Sequence, residues 1–172
     1  MIQRIQTIFL LLAALANPVV LFLPLGAASN RESMEGLTIE LTGSTIHMSG
    51  VDEEAAEIVD KTLTFSDNTM LMVHVVLVVL VSLYFLVLIF LYQDRGRQIR
   101  LAYVGIVLVM VQIIIGVLLF MQLPEMSGGG ENIGHDVGFG LFVPVVTLLL
   151  GYVAIRRIQK DERMVRDMNR IR

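Results

Sequence analysis

The residues best placed to do chemistry in this 172-residue chain are three histidines and four uncharged polar side chains set in long apolar runs. His74 falls one helical turn into the run from Leu71 to Tyr92, and His135 with Asp136 stands immediately before the run from Val137 to Ile155. If the two runs form neighbouring helices, His74, His135 and Asp136 can converge at one end. Histidines on adjacent helices can ligate haem, and histidine with a carboxylate can bind zinc or a quinone headgroup. Interfacial polar histidines are the plainer reading: haem ligation favours a histidine inside each of two helices, and His135 follows a glycine-rich loop. His47 lies alone in a polar stretch and reads as solvated.

The second constellation is one of depth. Asn17 lies twelve residues beyond Ile5 and Gln112 eleven beyond Leu101, while Ser82 lies eleven beyond Leu71 and Thr147 ten beyond Val137. If consecutive runs cross a bilayer in opposite directions, all four residues fall near its midplane. An unpaired amide in hydrocarbon costs several kcal/mol, on the order of 4–8 in the driest reference solvent. Asn17 and Gln112 should therefore face protein and join a hydrogen-bonded layer with Ser82 and Thr147. That layer is either packing glue or a small polar binding site, and Ser82 and Thr147 can also bond their own helix backbones.

Other chemistry finds little support. The chain has no cysteine, which removes thiolate catalysis, disulfide exchange, iron–sulfur ligation and cysteine zinc sites. No nucleophile with a paired base, phosphate-cradling glycine motif or carboxylate pair stands out, and Glu53-Glu54 reads as an exposed acidic turn. Intramembrane charges mark ion and proton pathways, and the four apolar runs contain none.

The elements that must position these residues follow from composition. The chain is 55% hydrophobic and only 17% charged, as expected for one mostly inside lipid. Ile5 to Leu25, Leu71 to Tyr92, Leu101 to Met121 and Val137 to Ile155 each have enough apolar length to cross the ~30 Å hydrocarbon core. The expected organisation is a first span within 1–25, an outer loop 26–68, a second span 69–92 and a cytoplasmic turn 93–100. A third span 101–121, an outer loop 122–136, a fourth span 137–155 and a cytoplasmic helix 156–172 complete it. The fold class is an all-α membrane protein, a four-helix antiparallel transmembrane bundle with a small outer β-hairpin.

Charge sets the orientation. Eleven basic residues fall in the segments taken as cytoplasmic, one at the N-terminus, three in the central turn and seven in the tail, against two in the outer segments. By the positive-inside rule both termini are expected on the cytoplasmic side. The first run has features of a secretory signal, with small residues Gly26-Ala27-Ala28 at cleavage-like spacing, but its length favours a retained span. Pro18 predicts a kink there, because it removes the bond to the carbonyl of Ala14.

In the outer loop, Leu37 to Leu41 and Thr45 to Met48 alternate around Thr42-Gly43-Ser44, which predicts a hairpin packed on the ends of the spans. Asp52 to Asp60 predicts one or two helical turns, with Asp52 as cap. Ser66-Asp67-Asn68 caps the second span, Pro124 ends the third, and Gly128-Gly129-Gly130 makes a flexible tip. Gly140, Pro144, Thr147 and Gly151 recur at helical spacing and give the fourth span a small-residue face, where another helix can approach closely. Arg156, Arg157, Lys160, Arg163 and Arg166 make the following helix basic, suited to anionic lipid or a cytoplasmic partner.

Met1-Ile2-Gln3-Arg4-Ile5-Gln6-Thr7 ahead of the first run, Arg97-Gln98-Ile99-Arg100-Leu101 in the centre, and Lys160-Asp161-Glu162 with Val165-Arg166 and Arg170-Ile171-Arg172 at the end carry a resemblance. The chain resembles an uncharacterised family of small four-span membrane proteins, found mainly in bacteria of the Bacteroidetes type and described as a domain of unknown function. The resemblance implies a first span retained in the bacterial inner (cytoplasmic) membrane and no particular activity. The leading expectation is a non-enzymatic scaffold or accessory subunit. Its partners would be membrane lipids and either another membrane protein or a second copy, with no nucleic acid. The alternatives are a redox accessory protein binding haem, metal or quinone, and a component that binds or transports a small solute.

Overall fold

The computed structural model describes residues 3–30, 38–52, 57–64, 67–91, 94–126 and 133–170. Four α-helices pack in a ring: α1 (Gln3–Ala16), α2 (Thr69–Phe90), α3 (Arg95–Met126) and α4 (Val143–Arg170), each beside the helices before and after it, with α4 closing on α1. Three helical stretches, Thr69–Phe90, Gly96–Leu123 and Phe139–Val165, are long and apolar enough to cross a membrane, and Thr7–Phe22 is a shorter apolar helix. Their outer surfaces carry exposed Leu80, Leu83, Val87, Val107, Met110, Ile114, Val146 and Leu149. A surface so continuously apolar suits lipid and not water.

The first helix does not run on to residue 25 as the apolar pattern suggested. The α-helix stops at Ala16, a 3-10 helix follows over Asn17–Phe22, and Pro24–Asn30 becomes strand β1. Pro18, without an N–H, cannot continue the α-helical bonding but fits the start of the tighter turn. Among the small residues at cleavage-like spacing, Gly26 is tightly packed. A Cβ on Gly26 would lie 2.4 Å from the Phe120 ring, so only glycine lets β1 pass over α3.

The expected hairpin is present as β2 (Thr38–Thr42) and β3 (Thr45–Asp52), with Leu41 opposite Ile46. It belongs to a larger antiparallel sheet of five strands, ordered β4-β3-β2-β1-β5, with β4 at Glu57–Thr64 and β5 at Ile133–Val137. The helical turns expected over Asp52–Asp60 are therefore corrected to strand at both described ends. Ile58, Val59, Thr62 and Thr64 are β-branched, and pairing with β3 covers an edge that a short helix would leave open. Glu53-Glu54 and Gly128-Gly129-Gly130 lie outside the described residues.

The hairpin tip is docked on the 3-10 helix that follows α1. The Gly43 N–H donates to the Leu23 carbonyl at 3.3 Å and the Ser44 hydroxyl to the Leu21 carbonyl at 2.9 Å, so the tip satisfies carbonyls at the end of the 3-10 helix. Ala28, Ile39, Leu41 and Ile46 turn their side chains into an apolar core shared with Val20, Leu71, Val78, Leu119 and Leu123. A second core, deeper in the ring, gathers Leu10, Ala13, Val81, Phe85, Val109, Ala154 and Ile155.

Helix ends follow local rules. The Asn68 side chain caps α2, accepting from the N–H groups of Met70 and Leu71 at 2.9 and 3.2 Å. Asp94 caps α3 and pairs with Arg97 at 2.9 Å, while buried Gln98 donates to the Leu88 carbonyl at 2.9 Å and ties α3 to the end of α2. Helix α3 runs two residues past Pro124, whose fixed φ is compatible with helix although its hydrogen bond is lost. Helix α4 starts at Val143, after a 3-10 turn over Phe139–Phe142, which places Pro144 in the first turn where a missing N–H costs little.

Candidate functional site

The two apolar cores meet at a polar layer. Asn17 opens the 3-10 helix, fully buried, because the α-helix has just ended and its side chain turns into the ring. Its Nδ2 donates to the Val78 carbonyl at 3.1 Å and to the Ser82 hydroxyl at 3.2 Å, and its Oδ1 accepts from Gln112 Nε2 at 3.1 Å. Ser82 in turn donates to the Val78 carbonyl at 2.8 Å. Three helical elements separated by 61 to 95 residues in sequence are thus bonded through one amide. Thr147 is buried but donates to Val143, 3.1 Å away on its own helix, as a hydroxyl in an apolar helix commonly does.

His74 lies one turn beyond Val78 toward the sheet. It is 1% exposed, and among the described residues neither ring nitrogen has a hydrogen-bond partner. Gly116, one turn beyond Gln112, faces it: a Cβ there would sit 3.6 Å from His74 Cε1 and 3.6 Å from a methyl of Leu141. Among the described residues the Oε1 of Gln112 is likewise without a hydrogen-bond partner.

The convergence of His74 with Asp136 is not realised. Strand β5 pairs with β1, His135 opposite Ala28 and Asp136 opposite Ala27, and strand alternation turns Asp136 to the exposed face. There Asp136, Glu40, His47 and Phe139 line an open groove of about 410 Å³, whereas His74 faces Gly116 inside the ring. The His135 side chain lies outside the described residues. His47 is not isolated either: its Nδ1 lies 3.0 Å from the Thr62 hydroxyl across β3 and β4. Among the described residues no group of three His, Asp or Glu side chains could hold a metal ion.

The small-residue face is used inside the chain. Gly140, Pro144, Thr147 and Gly151 are all buried. Cβ atoms added at Gly140 and Gly151 would meet the Pro24 carbonyl at 2.8 Å and Ile106 and Phe85 at 3.2 and 3.3 Å. Leucine at Gly151 is expected to force α3 and α4 apart and cost about 1–3 kcal/mol, read as a lower thermal midpoint in detergent. A midpoint unchanged from wild type would mean that the two helices do not touch there.

Arg156, Arg157, Lys160 and Arg163 are exposed along α4, and Arg166 lies on the same helix with its side chain outside the described residues. Arg156 Nε donates to the Tyr152 hydroxyl at 2.8 Å, and its guanidinium stands 5.4 Å from that ring's centre. The opposite side of the tail is packed, with Ile158 and Asp161 buried and Gln159 donating to the Tyr103 hydroxyl of α3 at 3.0 Å.

A protein-family model described as a domain of unknown function (DUF4293) matches residues 2–171, nearly the whole chain. The chain belongs to the DUF4293 family. The match takes in every helix, the sheet and the polar layer, so these are features of a DUF4293 domain and not of an appended segment. No curated protein matches the chain. For this DUF4293 member, what sequence reasoning missed is the glycine set. Gly26, Gly43 and Gly138 sit where backbone or ring atoms leave no room for a side chain, a requirement set by distant neighbours.

Proposed function

We propose that this DUF4293 protein is a four-span inner-membrane protein with both termini cytoplasmic, and that it works without catalysis as a scaffold or accessory subunit. The observation that carries the reading is that the polar and small-residue groups of the spans are turned inward, leaving an apolar belt for lipid and polar surfaces only at the two ends. The 14 residues of α1 and six of the 3-10 helix together rise about 33 Å, enough to cross as a fourth span. The arginine-bearing ends of α3 and α4 then lie in the cytoplasm, and the sheet lies outside. Three tyrosines, Tyr84, Tyr103 and Tyr152, hydrogen-bond near that arginine end, where amphipathic rings favour a membrane interface.

Because the fourth span's small face is occupied by the chain itself, partner contact falls to the basic stripe Arg156, Arg157, Lys160 and Arg163 and to the sheet. A photocrosslinker at residue 160 or 163 is expected to capture a discrete partner, or anionic lipid, in native membranes. No capture there, together with a monomer in mild detergent, would end the accessory reading. The absence of native cysteine makes orientation directly testable. A membrane-impermeant maleimide added to intact inner-membrane spheroplasts is expected to label Thr62→Cys and to spare Arg163→Cys until permeabilisation. The reverse pattern would invert the assignment.

A further inference from the structure

We propose that the interior beside His74 and Gln112, between α2, α3 and the 139–142 turn, is a binding site for a small uncharged molecule carrying hydroxyl donors. The inference does not depend on the scaffold reading. It rests on two consecutive rungs of the same packed interface. On the lower rung Asn17 ties Val78 of α2 to Gln112 of α3. On the upper rung, one turn or about 6 Å further along both helices, His74 faces Gly116. Among the described residues, each rung leaves polar atoms unpartnered in a place from which bulk water is excluded: both His74 nitrogens above, Gln112 Oε1 below. His74 and Gln112 are 1% and 0% exposed. Buried polar groups in native proteins are satisfied, and leaving one bare costs about 1–3 kcal/mol.

The donor and acceptor balance identifies the class of occupant. Both hydrogens of the Asn17 amide are committed, to Val78 and Ser82, and its oxygen is taken by Gln112. What remains is the Gln112 oxygen, an acceptor, its second N–H, a donor, and a neutral imidazole with one acceptor and one donor. The complement is a molecule that both donates and accepts at these points. Water does this, and so does the hydroxyl of a lipid-soluble alcohol or quinol. An oxidised quinone, an ether or dioxygen offers acceptors only and would leave Gln112 bare. A cation is disfavoured because neither His74 nor Gln112 supplies negative charge against the cost of desolvating it. Glycine at 116 keeps the wall beside the imidazole free of a side chain, and Leu141 closes the other side.

The test uses the full chain, labelled with ¹⁵N-histidine, in phosphatidylcholine nanodiscs. Only three histidines are present, so His74→Phe assigns the resonance and His47 serves as internal control. The unprotonated His74 nitrogen is expected at an upfield, hydrogen-bonded shift, with magnetisation transfer from the water signal if water is the occupant. If a lipid-borne alcohol is the occupant, water transfer is absent and added 1-octanol moves the His74 nitrogen while leaving His47 in place. In either case Gln112→Leu is expected to weaken the effect and Gly116→Val to abolish it. A His74 nitrogen at the shift of a free imidazole, insensitive to water and octanol, overturns the proposal. So does an effect that persists unchanged in both variants. Should either variant fail to fold, the wild-type measurements alone decide.

Discussion

Gly43→Val is expected to cost about 3 kcal/mol, the upper end of the range for forcing atoms into a packed site. A Cβ at this position would stand 2.1 Å from the Val20 carbonyl oxygen and 2.8 Å from its carbon. These are backbone atoms of the 3-10 helix, not a side-chain tip that can swing aside, so the hairpin must lift from that helix. Lifting it also breaks the bonds from Gly43 to Leu23 and from Ser44 to Leu21. Ser44→Ala, which removes one bond and adds no bulk, is expected to cost only about 1 kcal/mol. Thermal unfolding of both variants in one detergent separates the two effects. If valine and alanine cost the same, the tip is not seated on the 3-10 helix as described.

The second large effect concerns the polar layer. Asn17→Leu removes an amide that makes three buried hydrogen bonds, and it leaves Gln112 without its partner. A loss of about 2–3 kcal/mol follows, since a buried polar group keeps its full desolvation cost once its partner is gone. Gln112→Leu strips only the donor to Asn17 Oδ1 and is expected to cost about 1–2 kcal/mol. The double variant should cost less than the two singles together, because the bare groups vanish in pairs; coupling of about 0.5–1.5 kcal/mol is typical of hydrogen-bonded partners within a membrane. Strict additivity would show that Asn17 and Gln112 do not interact. The cycle is measured by the same unfolding assay, which makes it comparable with the hairpin variants.

The helices were largely legible because the signal is local. Twenty apolar residues without a charge announce a helix of sufficient length whatever surrounds them, and Asn68 marks the cap of α2. The polar layer was legible at the level of depth for a related reason: the rise per residue of a helix is constant, so counting from each end places Asn17, Ser82 and Gln112 at one level. The hairpin could be read from its alternation and turn. The edge strand β5 could not, since it is short, carries small and polar residues and acquires strand geometry by pairing with β1 across more than a hundred residues of sequence. Nor could the close approach of Phe120 to Gly26, which depends on a neighbour far along the chain.

Residue type and spacing by themselves determined the apolar helices, the arginine-rich end, the absence of thiol chemistry and the depth at which amides must find partners. Each of these depends on transfer energies and on helix geometry that a residue carries with it. Tertiary structure decided which partner each polar group found, since a helical face shows what is presented and not what covers it. Gly140, Pro144, Thr147 and Gly151 formed a face in either account, yet only packing assigned it to the chain's own interior. Asp136 parted from His74 because a strand turned it outward. His74 kept its place one turn inside α2, facing Gly116, and among the described residues the packed helices give its imidazole no hydrogen-bond partner.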